Sequence, residues 1–447
     1  MKQISNTNRR IFLRQSMLVS LGFLALPRCT ANYKPEEQEP AGRPVLVKDP
    51  RGYLDLPAGF SYRIIARKGE RMADNLLVPG RPDGMGAFQG SGDRVILICN
   101  HENSPAGLSN SPFGPQNELL RSFSRSKLYD AGSLRAPGLG GTTTLIYNEK
   151  TGELEQQFLS LAGTYRNCAG GVTPWGSWLT CEEDTSVKQG SMEQDHGFVF
   201  EVPATETPFA VEPIPITAMG RFNHEAVAVD PATGIVYQTE DRQDGLFYRY
   251  IPNQKGNLHA GGKLQALAII DQPALDTRNW KTRKVPLQTP FQTHWVDIQN
   301  VQSPKDNLRY QGFEKGAARF ARGEGIWFGD GELFFACTNG GPSKYGQVFR
   351  YQPSPAEGTP QEQHQPGLLE LFAESTDRTL LHACDNLTVA PSGDLFLCED
   401  NGVLNHIRGI NRQGEVYTFA CNRSSKSELA GAVFSPSGKT LFVNIQE

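Results

Sequence analysis

Apolar residues in this chain come in short runs broken by Gly, Pro and polar clusters. Such short runs predict many short strands rather than long helices, and no segment sustains a long 3.6-residue period. Strands are expected at 62–66, 142–148, 154–161, 198–202, 247–251 and 348–351. The second and third flank Glu149-Lys150-Thr151-Gly152, a good hairpin turn. Residues 103–141, rich in Ser, Gly and Pro, read as a long excursion outside the core; 253–306 read as a further insertion and 353–366 as a loop. The fold class is all-β.

One hairpin recurs. Residues 166–184, RNCAGGVTPWGSWLTCEED, run from a cysteine through the Gly176 turn to Glu182-Glu183. Relatives open at Asp83, Glu225, Glu324, Asp385 and Glu428 and turn at Gly92, Gly234, Gly331, Gly393 and Gly438. Each has a metal-capable opener, a short strand, a Gly turn, an apolar strand and a polar or acidic end. Unequal gaps between the turns fit blades carrying loop insertions. Six repeats of blade size predict a six-bladed β-propeller. Equivalent openers would then converge on one mouth of the central channel. Converging acids repel unless a counter-charge is present, and bound cations supply one.

Composition narrows the function. The chain has 447 residues and a net charge of −4, so no nucleic-acid partner is expected. No interior apolar run reaches the roughly 18 residues of a membrane helix, so no stable span is expected in the mature chain. Asn8-Arg9-Arg10-Ile11-Phe12-Leu13-Arg14 precedes an apolar run at 17–26 and reads as a twin-arginine export signal. An ordinary secretory signal is the competing reading. The expected organisation is a signal at 1–31, a polar Pro-rich linker at 32–45 and a single propeller catalytic domain at 46–447, with a periplasmic or secreted location. Cys29 leaves with the signal, and Arg28 before it fits lipoprotein processing poorly. Cys99, Cys181, Cys337 and Cys398 lie on apolar strands and read as small core residues. Cys168, in a Gly-rich bend, differs.

Carboxylates suit hard cations such as calcium, and a thiolate among them suits iron or zinc. Arg322 lies two residues before Glu324, between small residues. It is placed either to clamp a phosphate or to pair with a ring carboxylate. His101 and His224 read as ligands, proton donors or locally bonded packing residues. No Gly-x-Ser-x-Gly elbow, His-Glu-x-x-His motif or P-loop is present.

The 167–183 motif, Ala321-Arg322-Gly323-Glu324-Gly325, Asp385-Asn386-Leu387 and the 434–446 segment together resemble PhoX-type alkaline phosphatases from about residue 45 to the end. The resemblance implies an exported six-bladed propeller that hydrolyses phosphate monoesters with iron and calcium at the channel mouth. It implies iron ligation by Cys168 with Glu225 and Glu324, phosphate binding by Arg322, and calcium binding by Asp385 and acids ending the inner strands. The metal-ligand candidates are therefore Cys168, Glu225, Glu324, Asp385, Asp83, Glu428, Glu102, Glu240 and Glu399, with Asn100 and Glu182 also considered. The partners implied are small phosphate monoesters and the twin-arginine export machinery. The alternatives are a calcium-dependent lactonase or phosphotriesterase propeller and a non-enzymatic exported ligand-binding propeller. The sequence stops at Glu447, where family members continue, so the last blade is expected to lack a closing strand if the end is a truncation.

Overall fold

Gly-turn hairpins become the inner halves of blades in the computed structural model, which describes residues 44–447. Two short strands come first, β1 (Leu46–Val47) and β2 (Leu54–Pro57). Blade 1 is β3 (Pro82–Gln89), β4 (Arg94–His101), β5 (Gly140–Asn148) and β6 (Glu153–Thr164). Blade 2 is β7 (Asn167–Val172), β8 (Ser177–Glu182) and β9 (Val199–Pro203). Blade 3 is β10 (His224–Val229), β11 (Val236–Glu240), β12 (Gly245–Pro252) and β13 (Gly262–Ile269), extended by β14 (Phe291–Asp297), whose other edge touches blade 4. After the short β15 (Arg319–Phe320), blade 4 is β16 (Gly323–Gly329), β17 (Glu332–Cys337), β18 (Gln347–Gln352) and β19 (Leu368–Glu374). Blade 5 is β20 (Cys384–Val389), β21 (Leu395–Glu399), β22 (His406–Ile410) and β23 (Val416–Asn422). Blade 6 is β24 (Leu429–Phe434) and β25 (Leu441–Ile445) alone.

The inner strands β3, β7, β10, β16, β20 and β24 each touch the next, and β24 returns to β3, so the ring closes. Closure demands close backbone approach. A Cβ on Gly325 would stand 2.6 Å from the amide nitrogen of Leu387, and one on Gly431 only 2.2 Å from the carbonyl oxygen of Asp83. Glycine is required at both places. Aromatic side chains fill the wedge between blades 3 and 4: Phe247 stacks on Phe335 at 4.5 Å, and Phe320 meets Phe349 edge-on at 5.2 Å. Each such fully buried side chain contributes about 1.5–3 kcal/mol.

Three expectations change. Residues 62–66 form no strand; Tyr62, Ile65 and Ala66 pack side chains near β25 without a ladder, because β2 takes the edge of β23 in blade 5 instead. The 103–141 excursion has a core of its own, with Phe113, Leu120 and Leu128 packed on Met72, Leu76 and Val78. The 253–306 stretch contains β13 and β14 and so builds blade 3 rather than interrupting it. Cys384 and Cys421 join the strand cysteines as buried free thiols, and no disulfide occurs among the described residues. The signal and nearly all of the linker lie outside the described residues.

Candidate metal centre

The same irregularity opens every inner strand. Register slips between Pro82 and Met85, Asn167 and Gly170, His224 and Val227, Gly323 and Ile326, Cys384 and Leu387, and Ala430 and Val433. Such bulges re-aim the side chains beside them. Asp83, Cys168, Glu225, Glu324 and Asp385 all occupy the second position of their strand, at the bulge.

Blade 6 departs from the expected equivalence, since its second position is Ala430. Glu428 stands two residues earlier, and a recurring hydrogen bond identifies that place. The carbonyl there accepts from the amide just past the end of the second strand: Arg81 from Glu102 at 2.9 Å, Arg166 from Glu183 at 2.9 Å, Asn223 from Asp241 at 3.2 Å, Arg322 from Thr338 at 3.1 Å, Ala383 from Asp400 at 2.9 Å and Glu428 from Gln446 at 3.3 Å. Glu428 is thus the counterpart of Arg81, Arg166 and Arg322. Those three arginines and Ala383 have left-handed backbones, with φ between 46° and 55°. For non-Gly residues that conformation is strained, of order 1 kcal/mol or more each.

The second strands separate two kinds of acid. Glu182, Glu240 and Glu399 are the last residues in register. Each turns away from the mouth to hold a neighbouring segment. Glu182 accepts from His196 Nδ1 at 2.7 Å and the Gly197 amide at 2.9 Å. Glu240 accepts from Tyr248 Oη at 3.0 Å and the Leu246 amide at 3.1 Å. Glu399 accepts from Arg408 Nε at 2.9 Å and the His382 amide at 2.9 Å. Glu240 and Glu399 are therefore not brought into the ring, contrary to expectation. Successive strand residues face opposite ways, so the next residue points to the mouth in each case: Glu183, Asp241 and Asp400, with Glu102 in blade 1.

Four overlapping groups result, with ligand atoms within 4.8 Å of one another in each: Glu102, Cys168 and Glu183; Asp83, Glu102 and Glu428; Glu225, Glu324 and Asp385; Asp385, Asp400 and Glu428. Cys168 falls in a different group from Glu225 and Glu324, so the expected single point is replaced by two neighbouring ones. Asn100 lies outside these groups. Its Nδ2 donates to the carbonyls of Cys168 and Ala169 at 3.1 and 2.8 Å and fixes the thiol's bend. His101 bridges the Gly80 carbonyl and Thr143 Oγ1, and His224 stacks on Phe222 at 3.6 Å while contacting the Gly220 carbonyl. Burial pushes them down to about 4 and about 3, so both are neutral packing residues.

Charge at the mouth is unbalanced. Nine carboxylates (Asp83, Glu102, Glu183, Glu225, Asp241, Glu324, Asp385, Asp400 and Glu428) face three guanidiniums, Arg81, Arg166 and Arg322. Both oxygens of Glu225 and Oδ1 of Asp83 are buried without a hydrogen-bond partner. Burial, then the neighbouring acids Asp385, Glu183 and Asp83, pushes the Glu225 carboxyl far up. Burial, then Asp83 and Glu225, does the same to the Cys168 thiol. Burial and Asp400 raise Asp385 to about 7; burial, then Asp83, raises Glu428 to about 11. Burial raises Glu183 to about 8 against the opposing pull of Arg166. Groups that hold protons for want of a positive neighbour are the groups a metal ion displaces protons from. The donor set, carboxylates with one thiol, fits metal ions.

Arg322 is the pivot of the blade 3–4 side. Its Nε and Nη2 grip Asp241 at 2.7 and 2.8 Å, and Nη2 lies 2.8 Å from Glu324 Oε1 without the alignment of a hydrogen bond. The pairing considered from sequence is present. Arg81 and Arg166 were not singled out from sequence, although an Arg two residues before the opener recurs in Arg81-Pro82-Asp83, Arg166-Asn167-Cys168 and Arg322-Gly323-Glu324.

No curated protein matches the sequence. Among solved structures the chain is similar to Pseudomonas fluorescens PhoX in complex with vanadate, a transition state analogue, at 17% identity and a TM-score of 0.65, covering 91% of this chain and 92% of that one. That likeness is one of fold. A gluconolactonase from Xanthomonas campestris, at 12% identity and a TM-score of 0.38 over 91% of this chain and 95% of that one, is too distant in geometry to bear on the fold. The family described as alkaline phosphatase PhoX matches residues 42–447, nearly the whole chain. The chain belongs to the alkaline phosphatase PhoX family.

Proposed function

We propose that this protein is an exported, metal-dependent phosphatase that releases inorganic phosphate from phosphate monoesters. Membership of the alkaline phosphatase PhoX family supports the reaction class. The observation that carries the site assignment is Glu225: a buried carboxylate with neither oxygen partnered, grouped with Glu324 and Asp385 beside Arg322. Iron is assigned to the side holding Cys168 with Glu102 and Glu183, and calcium to the all-carboxylate groups, by the softness of their donors. Held there, metal ions would neutralise these acids and would supply Lewis-acid polarisation of phosphoryl oxygens.

The chain's own residues do the rest. Asp241 fixes Arg322 through two bonds, which leaves Nη1 to meet a phosphate oxygen without reorganising. Asn100 and the Gly-rich β7 hold Cys168 at the mouth.

The decisive experiment is elemental analysis of protein purified after native export, paired with phosphate release from p-nitrophenyl phosphate before and after chelation. Iron, calcium and chelator-sensitive turnover are expected; metal-loaded protein that hydrolyses no phosphate monoester refutes the reading. Export by the twin-arginine route is tested by replacing Arg9 and Arg10 with Lys, which should keep the activity inside the cytoplasm. Undiminished export of that variant would mean that another pathway carries the chain.

A further inference from the structure

Blade 4 carries a cation at the rim that the ring does not use. Thr338, whose amide bonds the Arg322 carbonyl, is followed by Asn339, whose carbonyl accepts from Trp280 Nε1 at 2.7 Å. Asn339 Nδ2 also donates to Gln243 Oε1 at 3.0 Å, and the Gln243 carbonyl accepts from Arg278 Nη1 at 3.0 Å. Gln243 lies two residues after Asp241, the clamp on Arg322. Trp280 is therefore half-buried and anchored to the strand end whose Thr338 amide bonds the Arg322 carbonyl.

Two cations lie over its indole, the Arg278 guanidinium at 4.2 Å from the ring centroid and Lys344 Nζ at 4.8 Å. Asp276 neutralises Arg278 through two bonds, at 2.7 and 2.6 Å. Lys344 is exposed, and its side chain makes no ion pair or hydrogen bond among the described residues. It occupies a turn that reaches from Arg322 to the next blade. The Gly341 amide donates to Arg278, and the Tyr345 carbonyl accepts from Ala383, two residues before Asp385. A left-handed backbone (φ 56°) sets Lys344 in that turn. An indole face stabilises an ammonium without neutralising it. The rim thus presents one uncompensated positive charge over an aromatic floor, linked through Asn339 and Gln243 to the segments that carry Arg322 and its clamp Asp241.

We propose that Lys344 and Trp280 form a leaving-group subsite, and that it favours phosphate esters whose leaving group carries a second negative charge. This rests on the phosphatase reading above and assigns its substrate class. Lys344 binds the distal anion, while Trp280 holds the lysine and covers the apolar part of the leaving group.

The test compares phenyl phosphate with 4-carboxyphenyl phosphate on the metal-loaded protein, and in parallel measures calorimetric binding of phenylphosphonate and 4-carboxyphenylphosphonate. Wild type is expected to prefer the carboxylated member of each pair. Lys344→Ala should reduce that preference about fivefold, the worth of one exposed charge pair, and Lys344→Glu should invert it. Trp280→Ala should reduce it similarly, whereas Lys263→Ala, on the far outer strand β13, should leave it as in wild type. Equal preference in wild type and Lys344→Glu overturns the subsite. Absence of turnover in wild type refutes the phosphatase reading instead, and the phosphonate pair then still decides whether Lys344 selects a second anion.

Discussion

On the blade 1–2 side of the mouth Glu102 and Glu183 are held by protein groups, whereas on the blade 3–5 side Glu225 is held by none. Glu102 lies between Arg81 Nη2 at 2.5 Å and Arg166 Nη2 at 3.0 Å, and Gln446 Nε2 donates to it at 3.1 Å. Glu183 pairs with Arg166 and accepts from Asn223 Nδ2 at 2.9 Å. Across the channel Arg322 serves both Glu324 and Asp241, and Glu225 receives nothing. One side carries much of its counter-charge in its own side chains, whereas Glu225 on the other has none. The two sides should therefore answer differently when residues, protons or ions are taken away.

The largest difference is expected at Glu225. Glu225→Gln should reduce phosphate release by about a thousandfold, comparable to losing a key electrostatic group in other active sites. After chelation its melting temperature should match that of chelated wild type, because burial and the neighbouring acids already disfavour the charged form of this carboxyl. A large drop in the chelated melting temperature would mean that the carboxylate is structural, and the contrast between the sides would fail.

Cys168→Ala comes next. Activity should fall by about a hundredfold or more, with transition metal lost and calcium retained, as elemental analysis would read. Loss of both metals together would show that the two sides are one cooperative site.

Proton dependence of the chelated protein is third. Glu183 and Asp385 titrate near 8 and 7 when folded, above their ordinary values of 4.5 and 3.8. The folded state then binds more protons than the unfolded state between those limits, so its stability falls as pH rises from about 5 to 8. The slope is about 1.4 kcal/mol per pH unit for each such group while it titrates. Thermal unfolding across this range checks the sign, and saturating calcium should flatten or reverse it.

The smallest effect belongs to Arg166→Gln. It frees Glu102 and Glu183 to an added cation, and calcium affinity should change by less than about tenfold. A loss as large as that of Glu225→Gln would make the guanidinium, rather than the ion, the mainstay of that side.

Much of this was legible because the bulged hairpin imprints itself on the sequence: opener, Gly turn, apolar strand, acid. Five openers take equivalent places, as that imprint predicts. The sixth misled, since Glu428 is an acid at the right distance from a Gly turn but two residues out of phase, and only the Gln446 amide reveals its counterparts. Glu240 and Glu399 misled for a related reason. Adjacent acids such as Glu240-Asp241 look alike in sequence, yet strand alternation sends one to Tyr248 and the other to Arg322. The failure at 62–66 is different: Tyr62, Ile65 and Ala66 are only half-buried and Ile64 is exposed, while β2 takes the ladder beside β23.

Asp83 is completed from the far end of the sequence. Asn444 Nδ2 donates to its carbonyl at 2.6 Å, Gln446 Nε2 to its carboxylate at 2.8 Å, and Glu428 joins its group. A nascent chain translated only to Ser427 has Asp83 without any of these companions. The order of synthesis therefore leaves the Asp83 group incomplete until the last blade has been made.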